Sequence, residues 1–118
     1  MTELHAETGS LIGEDSEFQG KLTFLGTVRI EGRFDGEVLA EGTLVVAGGG
    51  HVRGKIEVGN LIVTGGVVEA EVIAHHSVEL SPPGQLLGDV TTPAFHIERG
   101  AVFRGRSLMP QAGKVPER

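Results

Sequence analysis

The chain has 118 residues, a formal net charge of −6 and no cysteine, which excludes a disulfide framework, a thiolate metal site and a cysteine nucleophile, and argues against the basic face that nucleic acid demands. Glycine supplies 19 residues, about 16% against a usual share of roughly 7%, while the only aromatic residues are five Phe, so a core built around Trp and Tyr is excluded and one of repeated small aliphatics is implied. No apolar run approaches the ~18 residues of a membrane span, and the acidic opening MTELHAETG does not read as a signal peptide.

Taken in chain order, one element recurs: apolar–x–Gly–x–apolar. It runs Phe18-Gln19-Gly20-Lys21-Leu22, Phe34-Asp35-Gly36-Glu37-Val38, Val52-Arg53-Gly54-Lys55-Ile56, then Val68-Glu69-Ala70-Glu71-Val72 with Ala for Gly, then Leu86-Leu87-Gly88-Asp89-Val90. A degenerate last copy is Phe103-Arg104-Gly105-Arg106-Ser107, and the central positions step by 16, 18, 16, 18 and 17. A second column starts at Val28, Leu44, Leu61, Val78 and Phe95, with steps of 16, 17, 17 and 17. Leu11 stands 17 residues before Val28, so the array is expected to begin near it.

Within each copy the apolar period is two, as along a strand, and apolar residues at helical spacing are missing. Glycines and Pro82-Pro83 fall between the strand-like pieces, where sharp corners belong. A unit of this size cannot bury its own apolar face, but stacked units can. The expected fold is therefore all-β: a single-domain parallel β-solenoid of about six coils of 16–18 residues, spanning 11–109. Residues 1–10 and 110–118 are expected to be disordered tails.

Outward residues beside the central glycine alternate in sign from coil to coil. Stacking is expected to make neighbours of Asp35 and Arg53, Glu37 and Lys55, Arg53 and Glu69, and Lys55 and Glu71. Such exposed pairs contribute only ~0.2–1 kcal/mol each, and their better use is to fix coil register.

Both ends of a solenoid present unpaired strand edges and a slice of core, and neither end here carries a candidate cap. End-to-end association is expected, through Val102, Phe103, Leu108 and Met109 at one end and Leu11, Ile12 and Phe18 at the other. The series Gly32-Arg33-Phe34-Asp35-Gly36-Glu37-Val38, Gly54-Lys55-Ile56 and Gly100-Ala101-Val102-Phe103-Arg104-Gly105 resembles the bactofilins, bacterial polymer-forming cytoskeletal proteins. That resemblance implies a right-handed, roughly triangular β-helix, a hand that agrees with the rule for parallel crossovers. It also implies nucleotide-free, non-polar filaments with head-to-head and tail-to-tail contacts, and a polymerising Phe at Phe103. Relatives scaffold cell-shape and cell-wall enzymes or chromosome-segregation proteins. The implied setting is cytoplasmic, at the inner face of the membrane through partners, which include other bactofilins. Direct membrane contact is not expected, since Met1–Ser10 carries Glu3 and Glu7 with few apolar residues.

The rival is a hexapeptide-like β-helix enzyme, an acyltransferase or γ-type carbonic anhydrase. Such enzymes need a strict six-residue period, which coils of 16–18 residues break. Zinc needs three His ligands, yet His51, His75, His76 and His96 fall at different places in the repeat, with adjacent His75 and His76 expected on opposite faces of a strand. Gly48-Gly49-Gly50 lacks the Gly-Lys-Ser/Thr and helix of a phosphate loop. No enzyme, metal or cofactor is expected.

Overall fold

Residues that alternate inward and outward, interrupted by glycine at a fixed distance, bury their apolar set only if each turn lies on the turn before. The computed structural model describes residues 3–6, 10–13 and 17–108. Its strands are β1 (Glu3–Ala6), β2 (Ser10–Ile12), β3 (Glu17–Phe24), β4 (Thr27–Ile30), β5 (Arg33–Ala40), β6 (Thr43–Val46) and β7 (His51–Val63). They continue as β8 (Val67–Leu80), β9 (Gln85–Leu87), β10 (Val90–Thr91), β11 (Phe95–Ile97), β12 (Val102–Arg104) and β13 (Ser107–Leu108). Pairing is parallel throughout, and each strand meets the strand one turn earlier or later. This is a parallel β-solenoid. Complete turns begin at Glu17, Arg33, His51, Val67 and Gln85, which makes five, with part-turns on either side, where about six were expected.

Every turn has three faces, and each contributes a stacked column to the core. Phe34, Val52, Val68 and Leu86 form one, Leu22, Val38, Ile56, Val72 and Val90 a second, and Val28, Leu44, Leu61 and Val78 the third, all buried. Each such side chain contributes about 1.5–3 kcal/mol through burial. Strand β5 states the rule locally: Phe34, Val38 and Ala40 point inward while Arg33, Asp35, Glu37 and Leu39 are exposed.

The first corner of each turn lies at the repeated glycine. Gly36 opposes Gly20 and Gly54 in the ladder and adopts φ +141°. A Cβ there would strike the Gly20 carbonyl oxygen, so the corner at Gly36 requires a residue without one, whereas Ala70 takes the same place in the turn that begins at Val67.

The other two corners set the uneven coil length. At the third corner, two residues separate Ile30 from Arg33, four separate Val46 from His51 and three separate Val63 from Val67. At the second corner, Glu41-Gly42 and His75-His76 supply two residues, whereas the turn between them supplies only Gly59, because Val58 pairs with Ala74 and Asn60 with Ser77. That turn is one residue short, and the missing residue leaves a notch on the edge of the prism.

The structure departs from expectation at the amino-terminal end. Glu3–Ala6, assigned above to a disordered tail, pairs with Lys21–Phe24. Leu11 lies opposite Arg29, while Ser10 opposes Val28 and Ile12 opposes Ile30. The first step is thus eighteen residues, one more than expected, because corner length is independent of the apolar pattern. Residues 109–118 lie outside the described residues, and with them Met109.

Candidate functional site

The carboxy-terminal end is built from three strands, each paired on one side only among the described residues: β11 on β8, β12 on β9 and β13 on β10. The described residues hold five exposed large hydrophobics, Leu25, Leu39, Ile97, Val102 and Leu108, and three of them sit on these last strands. Phe103 opposes Leu86, is partly buried against the core and meets Phe95 edge to face at 5.0 Å between centroids. One side of the ring thus closes its own core while the rest faces the open end. Ile97 was not foreseen as an end residue, although its outer place in the last turn of the second column was visible in the repeat.

Charge at this end is partly neutralised. Arg106 donates from Nη2 to Asp89 Oδ2 at 2.8 Å and from Nε to Oδ1 at 3.4 Å. The Arg106 side-chain hydrogen bond is the main cause that holds the Asp89 carboxyl below its ordinary value, with charge attraction and the Arg106 backbone N–H adding to it against desolvation. The same pairing raises Arg106. Arg104 is exposed on the neighbouring strand.

At the other end, nothing among the described residues lies outside Glu17–Gly20, so Phe18 stands at an open edge. It is half-buried and stacks on Phe34 at 5.2 Å. The backbone of Leu11 and Ile12 lies in β2, and their side chains are outside the described residues.

Along the wall, Asp35 opposes Arg53, Glu37 opposes Lys55, Arg53 opposes Glu69 and Lys55 opposes Glu71. Of these four pairs only Arg53–Glu69 closes, at 3.6 Å, and Glu69 also holds His51 at 3.2 Å. His75 pairs with Glu57 at 3.2 Å. His75 and His76 both project outward, at a corner rather than on opposite faces of a straight strand. Among the described residues no three His, Asp or Glu side chains group as metal ligands would.

Beside the notch at Gly59 runs a groove of about 640 Å³, lined by Phe24, Leu25, Leu39, Glu57, His75 and His76 among others. Leu25 is 67% exposed. The signal for Leu39 was its parity: it falls between inward Val38 and Ala40 and so had to face out.

Stacked coils whose last apolar strands pair on one side only among the described residues define a parallel β-solenoid. The chain belongs to the bactofilins: the profile of that family, described as polymer-forming cytoskeletal, matches residues 10–108. It is 36% identical over 109 residues to the bactofilin BacP of Myxococcus xanthus, covering 91% of this chain and 45% of BacP, and so spans about half of that relative's length. It is 31% identical to BacO of the same organism, over 88% of this chain and 80% of BacO. Among solved structures, the Thermus thermophilus bactofilin in double helical filaments matches with a TM-score of 0.75 and 32% identity, covering 86% of this chain and 99% of that one. The cytoskeletal bactofilin BacA, determined by solid-state NMR, matches at a TM-score of 0.67 and 29% identity, covering 87% and 97%. The family is structural, so the hexapeptide-type enzyme is set aside.

Proposed function

We propose that this chain is a cytoplasmic scaffold that joins end to end, without nucleotide, into non-polar filaments. Like ends meet: the carboxy-terminal face formed by Ile97, Val102, Phe103 and Leu108 packs on its own copy, and the face around Phe18, Leu11 and Ile12 does the same. Met109, next to Leu108 in sequence, belongs with the first face. The concentration of exposed apolar residues on the last three strands carries this reading, since large apolar residues at an open strand edge invite association. The filament then positions cell-shape, cell-wall or chromosome-segregation proteins, together with other bactofilins, and reaches the inner face of the membrane through partners. The charged wall of Asp35, Glu37, Arg53, Lys55, Glu69 and Glu71 fixes the register of the coils rather than contacting partners.

Electron microscopy of the purified protein without nucleotide tests the reading, with fibres or ribbons expected. Phe103→Arg should keep the strand-type circular dichroism and yield small soluble species. Unchanged filaments would remove Phe103 from the junction, and a wild-type chain that stays monomeric at high concentration would refute the scaffold.

A further inference from the structure

The two exposed leucines away from the ends, Leu25 and Leu39, lie on one edge of the prism beside the notch at Gly59. Leu25 belongs to the second corner of the turn that begins at Glu17, Leu39 precedes the same corner one turn later, and Gly59 occupies it one turn later again. Protrusion and notch are therefore two coils apart, roughly 10 Å at ordinary strand spacing, with Leu39 at the level between them. A two-fold axis perpendicular to the rod at that middle level exchanges the outer two levels. It brings Leu25 of one copy to the Gly59 notch of the other, and the reverse, while Leu39 meets Leu39 of its partner. The edge is complementary to itself, as a two-fold interface must be.

We propose that this edge is the lateral contact by which two filaments of this chain pair side by side, the two subunits in contact lying antiparallel, with a second copy of the chain as the occupant of the groove. The inference rests on the scaffold reading above. It gives the double character of the Thermus thermophilus relative's filaments a surface in this molecule. The groove beside Gly59, about 640 Å³ with Glu41 and His76 of the neighbouring corners among its walls, has room for a side chain, whereas Gly59 itself is packed too closely for a Cβ, which would meet Glu41 O at 2.8 Å. Glu41 sits at the level of the axis and faces its own copy, which places one like-charge contact at the centre. Removing that charge should tighten the pair.

The experiment is mass per length and width of filaments formed by the full chain, wild type against Leu25→Glu, Leu39→Glu and Glu41→Gln. Wild-type filaments should be double. Either leucine variant should halve the mass per length while filaments and strand-type circular dichroism persist, and Glu41→Gln should stay double and pair at several-fold lower concentration. Because the chain has no cysteine, Leu39→Cys alone should give a disulfide-linked dimer on mild oxidation in the assembled state. Leu25→Glu and Leu39→Glu filaments that remain double, or wild-type filaments that are single, would overturn the pairing and leave the groove to another kind of partner. Leucine variants that stay folded yet form no filaments would assign the leucines to the longitudinal junction, which also overturns it. Absence of any wild-type filament would instead defeat the scaffold reading itself.

Discussion

Arg106 closes on Asp89 across one full coil, with two side-chain hydrogen bonds and a third from its own backbone N–H to Oδ1 at 3.3 Å. The pair is exposed, so its contribution to folding is slight and screened by salt. Its larger effect is expected at the carboxy-terminal end, where the proposed tail-to-tail contact would bring Arg104 and Arg106 near their copies. Asp89→Asn leaves both cations uncompensated, and the added repulsion should weaken association several-fold. At low salt the critical concentration for filaments should rise correspondingly and return to the wild-type value at about 1 M salt, where screening reaches only ~3 Å. Sedimentation across a salt series measures it.

Acid should act on the same pair. Because Arg106 holds the Asp89 carboxyl below its ordinary value, the ion pair is fully formed above the usual carboxylate range. It is lost as pH falls through the lowered value. In wild type the pair should outlast ordinary surface carboxylates on acidification, and in Arg106→Gln the Asp89 titration should return upward. Carboxyl chemical shifts across pH 2–6 report both, and an unshifted Asp89 in wild type would refute the pairing.

Gly36 and Gly49 separate the glycines that the fold requires from those that it tolerates. At Gly36 a methyl group would strike the Gly20 carbonyl oxygen in a backbone region that L-residues avoid, whereas at Gly49 nothing lies within 4 Å. Gly36→Ala should cost at least about 2 kcal/mol and lower the melting temperature by about 10 °C or more. Gly49→Ala should stay within about 0.5 kcal/mol of wild type. Thermal unfolding followed by circular dichroism distinguishes them.

The core and the first corner were legible because stacking repeats the same inward positions in every turn. Val28, Leu44, Leu61 and Val78 could be aligned by eye and do stack. The other corners were not legible. Their residues contribute no inward side chain, so nothing in the apolar pattern counts them, and the register at Leu11 slipped by one for that reason. The same silence hid the short turn at Gly59, and with it the notch. The charged wall was legible as a ladder but not as ion pairs. Glu69 is drawn to both His51 and Arg53, while Glu37 and Lys55 keep their register with no ion pair between them among the described residues, since long exposed side chains gain little by closing.

Leu44 tests the solenoid's internal economy. It is fully buried between Val28 and Leu61 in its column, so truncation opens a cavity that two neighbouring turns must line. Leu44→Ala should cost about 2–5 kcal/mol. Each turn touches only its neighbours, so hydrogen exchange should quicken first in β4, β6 and the Asn60–Val63 part of β7, with β9 to β13 least affected.

Ile97 offers the sharpest separation of assembly from folding. It is 48% exposed and paired only toward β8, so about half of its side chain is already buried and roughly 1 kcal/mol remains to be gained at a contact. A two-fold junction holds the residue twice, which makes about 2 kcal/mol, or roughly 30-fold in association. Ile97→Glu should therefore raise the critical concentration by at least about that factor while the melting temperature stays within a few degrees of wild type. Phe103 cannot separate the two effects as cleanly, because its ring also packs on Phe95 and the core. Short paired species should persist in Ile97→Glu, since the edge at Leu25 and Leu39 is untouched. Full-length filaments from that variant at wild-type concentration would show that the last turn is not where copies join.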